Sequence, residues 1–319
     1  MDIDRALPAA PPAAESSRDG HTAIVCHALG KRFGRHRAVV DLYLSVNAGE
    51  VVGYLGPNGA GKTTTLRLLT GALRPTAGSA TVSGLDCWRS APAVHRDLGY
   101  VPSEPALDLR VTGAVLLDLD ASMRDVRATA ARPAQYALAD RLVLDLTRRV
   151  GELSRGNRQK LAVVLALWHR PRVLLLDEPT TGLDPLVQDT FRELLRDTAA
   201  AGAAVLLSSH ALAEVERFAH RVVVLREGRV VANADVATLR HHAPHRVRVR
   251  FADPAAATVL DTVSGVADRR ADGDEVTFSV RRHAIGDLVA ALGRVRVTDL
   301  EIREAELEEL FRSLYGGAP

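Results

Sequence analysis

The sequence predicts an α/β domain followed by a small α+β domain, and three observations predict it. From Thr22 onward, short apolar runs (TAIVC, VVDLYLSV, EVVGYLG, VLLLDE, AVLLSS, RVVVLREG) alternate with stretches of helical length, the pattern of a largely buried sheet. One of those runs leads into GPNGAGKT at Gly56–Thr63 and then a helix-forming stretch. Near Arg240 the pattern changes: RVRVRF at Arg246–Phe251 alternates with period two, followed by a helix-like PAAATVLDTV, the strand-like DEVTFSV, a helix-like HAIGDLVAALG and the strand-like VRVTDLEI.

The organisation expected from this is a Pro/Ala-rich disordered leader over 1–21, a catalytic domain over 22–240 with a helical subdomain over about 90–160, and a C-terminal domain over 241–319. From Ala305, AELEELFRSLY carries apolar residues at helical spacing and is expected to form an amphipathic helix. The catalytic motifs occur once, so the chain supplies one active half.

Composition narrows the function classes. The 319 residues are 47% hydrophobic and 25% charged, ordinary for a globular protein and too apolar for a disordered one. A net charge of +2 asks for no nucleic-acid partner. Cys26 and Cys87 stand far apart without metal-ligand spacing, which fits a reducing, cytoplasmic setting. The leader lacks the basic start and apolar core of a secretory signal. The longest apolar runs, such as LAVVLALW at Leu161–Trp168, fall short of the roughly 18 residues that span a bilayer. Any membrane role must come through a partner.

The phosphate site is the strongest signal. Gly56, Pro57, Asn58, Gly59, Ala60, Gly61, Lys62, Thr63 and Thr64 lie between an apolar strand and a helix. There the glycines let backbone N–H groups wrap phosphate and the helix N-terminus adds its positive end. Lys62 is expected to reach the outer phosphates of ATP and the Thr63 hydroxyl to bind Mg²⁺. The chain's other lysines are only Lys31 and Lys160. A second apolar strand ends on Asp177 and Glu178. Such a pair is by itself more often a solvated turn; downstream of a P-loop, Asp177 is expected to hold Mg²⁺ and Glu178 to orient or deprotonate the attacking water.

With LSRGNRQK at Leu153–Lys160, the sequence resembles the ABC ATPases, whose signature reads LSGGQ. Further likenesses fall in order: Phe33 in KRFG resembles the adenine-stacking aromatic, Asp184 in TTGLDP the D-loop acid, and His210 in SSH the switch histidine. Phe33 could equally be a core residue and His210 a structural one. The resemblance implies two such domains sandwiching two ATP molecules. Each ATP is held by one chain's P-loop and, in trans, by Ser154 and the Gly156 N–H of the other, with His210 at the γ-phosphate. It implies a second copy or a related subunit as one partner and a separately encoded permease as another, at the cytoplasmic face of the membrane.

The sequence departs from that pattern in two places. LGYVPSEP carries Ser103 where the family's Q-loop has glutamine, so a water fills the gap to the metal, or Glu104 substitutes, or coupling to the permease is altered. In the signature, Arg155 replaces a glycine; it either adds positive charge near the nucleotide or faces solvent. The Arg- and Asp-rich stretch from about Ser90 to Val150 is either fitted to the permease or an ordinary solvated surface. The SRGNRQK signature and the C-terminal domain resemble the bacterial drug and antibiotic exporters. An importer motor, or an ATPase acting on ribosomes or DNA, are the competing readings. Dimer support, regulation and passive packing are the alternatives for the C-terminal domain.

Overall fold

The structure, a computed structural model, describes residues 22–210, 212–216, 219–242 and 244–304. The leader expected over 1–21 and the helix expected from Ala305 lie outside these residues. The chain divides into two compact units between Asn233 and Ala234. The period-two pattern that marks the second unit in sequence is preceded by a helix, α8 (Val236–His242), that falls within it.

β3 (Val51–Leu55), β6 (Leu98–Val101), β7 (Val173–Asp177), β8 (Ala204–Ser209) and β9 (Arg221–Arg226) of the first unit form one sheet with β10 (Arg229–Asp235), whose last two residues pass the division, in the order β10-β9-β3-β8-β7-β6. The pairs from β9 to β6 are parallel. Every residue of β3, β7 and β8 is buried, as parallel strands covered on both faces must be. Parallel pairing also places strand ends together, and the register sets Leu55 beside Ser209 and Asp177 beside Ser208. The loops that leave β3, β7 and β8 therefore start from one edge of the sheet, where ligands of open α/β sheets bind.

A second sheet, ordered β2-β1-β4-β5, contains β1 (Thr22–Phe33), β2 (His36–Asn47), β4 (Ala77–Val82) and β5 (Leu85–Asp86). Its inward residues Ile24, Leu42 and Leu44 share a core with Val52, Tyr54, Leu66, Leu69, Leu175 and Leu206. Between Ser90 and Trp168 the chain is mostly helical: α2 (Ala91–Asp97), α3 (Gly113–Met123), α4 (Ala128–Arg141) and α5 (Arg155–Leu167). α3 packs on α4, where the buried Gln135 amide donates to the Leu117 carbonyl at 3.0 Å. Several charges of this stretch pair with one another, Arg132 with Asp118 at 2.7 Å and Arg124 with Asp120 at 3.1 Å, and Asp120 also accepts from the Trp168 indole at 2.6 Å. α1 (Lys62–Leu69), α6 (Pro185–Ala200) and the short α7 (Leu212–Val215) complete the unit.

The second unit is a four-stranded antiparallel sheet of β11 (His245–Phe251), β12 (Val266–Asp272), β13 (Glu275–Val280) and β14 (Val297–Glu304), ordered β12-β13-β11-β14. Its inner face, with Val247, Val249, Phe251 and Phe278, packs with Leu260 and with Leu288 and Leu292 of α9 (Ile285–Leu292). The outer face pairs Arg248 with Glu301 at 3.0 Å and Arg250 with Glu275 at 2.9 Å. The stretch read as helix-like at PAAATVLDTV winds as a 3₁₀ segment over Pro254–Thr262. Within it Thr258 donates to the Ala255 carbonyl and Thr262 to that of Val259, each three residues back.

Candidate active site

The loop after β3 turns into α1 through Gly61, whose φ of +106° and surroundings both demand glycine, since an added Cβ would stand 2.3 Å from the Ala38 carbonyl oxygen. No side chain caps α1. Its first N–H groups thus head a helix whose positive end faces the loop. Lys62 is buried; its ammonium donates to the Gly56 carbonyl at 2.6 Å and the Pro57 carbonyl at 3.3 Å, and stands 3.7 Å from Glu178 Oε1. Burial pushes its pKa below the ordinary lysine value, against the pull of Glu178 and Asp177.

At the end of β7, Asp177 is buried and accepts from the Ser208 hydroxyl at 2.6 Å, while its second oxygen, Oδ2, has no partner among the described residues. A buried carboxylate oxygen left unsatisfied is costly, so this one fits a cation or a bound water. Glu178 adopts φ +48°, unusual for a residue with a side chain, and its N–H donates to the Ser208 carbonyl at 3.1 Å and hydroxyl at 3.2 Å. From β8, His210 brings Nδ1 to 3.4 Å from Glu178 Oε1. Three parallel strand ends thus deliver Lys62, Glu178 and His210 to one point.

Around that point lies an open cavity of about 270 Å³ lined by Phe33, His36, Ala38, Pro57, Asn58, Gly59, Gly61, Lys62, Thr63, Thr64 and Glu178. Of the residues expected from sequence, Gly56 acts through its carbonyl on Lys62, and Ala60 is buried behind the loop. His36 and Ala38 line the cavity without having been singled out; the available signal for His36 was its position opposite Phe33 across a tight hairpin.

Eight expected residues do not line this cavity: Gly56, Ala60, Asp177 and His210, placed above, and Ser154, Gly156, Asp184 and Ser103. Ser154 caps α5, its hydroxyl accepting from the Asn157 N–H at 3.2 Å. Gly156 meets the loop before α6 so closely that a Cβ would be 2.7 Å from the Gly182 carbonyl oxygen. Asp184 caps α6, accepting from the Val187 N–H at 3.0 Å. Ser103 is half-buried after β6, and beside it Glu104 comes within 3.9 Å of the Arg155 guanidinium, so the two departures from the family pattern adjoin. Both side chains are largely exposed, where such a pair contributes little. The cap at Asp184 gives a separable expectation: Asp184→Ala should lower stability by about 1 kcal/mol, and Asp184→Asn, which keeps a capping oxygen, by a few tenths. Thermal melts test the cap; if ATP turnover falls in Asp184→Asn while the melt holds, the charge itself serves the reaction.

Residues 39–181 match the ABC transporter family. Over 314 residues the chain is 35% identical to a daunorubicin resistance ATP-binding protein of Streptomyces coeruleorubidus, an alignment covering 93% of this chain and 96% of the relative. The chain belongs to the ABC transporter family. This ABC ATPase is also 34% identical over 296 residues to a Nod factor export ATP-binding protein of Burkholderia lata, covering 90% of this chain and 94% of that one. Among solved structures, an ATP-binding subunit of an ABC transporter superposes with a TM-score of 0.65 at 29% identity, covering 69% of this chain and 92% of that one. ATP binding and hydrolysis come with the family. The cavity wall carries the glycine-rich loop, the Lys62 ammonium and the Glu178 carboxylate, with His210 adjoining the last. Among the described residues, no group of three or more His, Cys, Asp or Glu side chains is placed to hold a metal ion.

Proposed function

We propose that this chain is the motor subunit of an exporter, hydrolysing ATP in a dimer to drive a drug- or antibiotic-like molecule through a separate permease at the cytoplasmic face of the membrane. The observation that carries the reading is the division of the site. The P-loop and Glu178 line one cavity and His210 stands 3.4 Å from the Glu178 carboxylate, while Ser154 and Gly156 lie outside that lining and engage residues of α5 and of the loop before α6. A nucleotide in the cavity leaves the α5 N-terminus for a second chain's γ-phosphate, and ATP then joins the two subunits. No described helix is long and apolar enough to cross a membrane, which is consistent with a permease on another chain. The export reading draws on the relatives, named for daunorubicin resistance and Nod factor export.

In this reading Lys62 holds the outer phosphates, Phe33 stacks the base, and Glu178 accepts a proton from the attacking water while His210 holds that water and the γ-phosphate. Mg²⁺ fits the site: the unpartnered Asp177 Oδ2 and the Thr63 hydroxyl would hold it, with Ser103 reaching it through a water. When bound, it offsets the negative charge of the phosphate oxygens. Asp184 adds to the nucleotide interface from the α6 N-terminus.

The test is affinity purification of the Glu178→Gln protein with ATP from detergent-solubilised native membranes. Recovery of a polytopic membrane protein without a solute-binding protein is expected. A solute-binding protein in the complex would turn the reading to import, and ribosomal proteins or DNA in place of a permease would overturn transport.

A further inference from the structure

The cavity wall has two parts. The P-loop residues, with Lys62, Thr63 and Glu178, address phosphate, and the β1–β2 hairpin contributes Phe33, His36 and Ala38. With the phosphates fixed at the P-loop, the hairpin is the part left to meet the nucleoside.

Phe33 and His36 are the last registered pair of that hairpin, joined by Gly34 and Arg35, with Gly34 at φ +56°. Directly opposite residues of an antiparallel pair project to the same face with their Cβ atoms about 5 Å apart. Phe33 and His36 thus both line the cavity wall from the end of one hairpin, and both side chains are exposed. The Lys31 ammonium lies 5.0 Å from the Phe33 ring centroid while donating to the Arg74 carbonyl at 2.7 Å, so a tethered cation covers one face of the phenyl ring. The His36 imidazole has no hydrogen-bond or ion-pair partner among the described residues, so no tie within the fold accounts for its place on the wall.

We propose that His36 is the second ring of a purine platform: the base of the bound nucleotide lies across Phe33 and His36, held by its π face. The inference rests on the reading that Phe33 takes the base. An imidazole that lines the wall next to the Phe33 position offers the base a second planar π surface from the same hairpin. Such contacts tolerate any planar base.

The test is competition of ATP, ADP and inorganic tripolyphosphate against a fluorescent nucleotide on the full chain. Its variants are His36→Ala, His36→Phe, His36→Asn and Phe33→Ala. For His36→Ala, ATP and ADP should weaken alike, by about tenfold, as expected for loss of one stacking ring. Tripolyphosphate should bind as before, which also certifies the fold. His36→Phe should keep near-wild-type ATP affinity and His36→Asn should not. Unchanged ATP affinity in His36→Ala overturns the inference, as does rescue by Asn rather than Phe, or an equal loss for tripolyphosphate. A silent Phe33→Ala would remove the base from the hairpin and with it both readings. A weakened Phe33→Ala beside a silent His36→Ala removes only this one.

Discussion

Glu178→Gln is expected to lower ATP turnover by about 10²- to 10⁴-fold, the range associated with losing a positioned general base. The substitution keeps the side chain's size and its reach toward His210, which stands 3.4 Å from the carboxylate, but replaces a basic carboxylate by an amide too weakly basic to take the water's proton. It also removes a negative charge 3.7 Å from the Lys62 ammonium, so the cavity becomes more positive and ATP should bind at least as tightly as before. The backbone at Glu178 is held at φ +48° by two bonds from its N–H to Ser208, and strain of that kind persists where the surroundings over-determine it. A glutamine inherits the same backbone, so the comparison isolates the carboxylate. Phosphate release at saturating ATP, alongside nucleotide titration, checks both halves. Turnover near the wild-type rate would remove Glu178 from its role, and lost binding would mean that the carboxylate organises the cavity instead.

The residues that sequence reading identified most sharply are those whose identity the backbone itself requires. Gly61 has room for no side chain against the Ala38 carbonyl, and a lysine heading a helix after a buried strand has few explanations besides anion binding. Asp177, Glu178 and His210 were legible because they follow apolar runs whose parallel pairing brings their ends together. His36 was not, because its place on the cavity wall comes from hairpin register, and an isolated histidine beside arginines carries no periodic signal. The closeness of Glu104 to Arg155 was hidden for a related reason: the loop after β6 and the start of α5 are brought together by tertiary folding alone. Ser154, Gly156 and Asp184 were legible by resemblance, yet each also has work within its own chain as a cap or a close backbone contact. A motif match cannot separate that work from a role toward nucleotide. The helix-like reading of Pro254–Thr262 holds as a 3₁₀ helix, and apolar spacing does not distinguish that winding from α.

Lys62→Met should weaken ATP binding by about 10- to 100-fold, the loss expected for a charge-assisted hydrogen bond to phosphate, while leaving the fold intact. The fold should tolerate it because the ammonium is buried and its carbonyl partners only partly offset the cost of burial, so a methionine of similar length exchanges a desolvated charge for apolar packing. The same burial gives the wild-type protein a pH signature. Without nucleotide, desolvation holds the Lys62 pKa below its ordinary value of 10.5, and the phosphates of ATP, placed against it, raise it again. Between those two values, ATP binding takes up a proton, and affinity falls as pH rises through the pKa of the free protein. The phosphates contribute no competing titration above about pH 8, well past their second pKa near 6. Titrations from neutral to alkaline pH should therefore show a declining ATP affinity in the wild type and a shallower one in Lys62→Met. Parallel slopes in the two proteins would assign the decline to another group and leave Lys62 charged throughout.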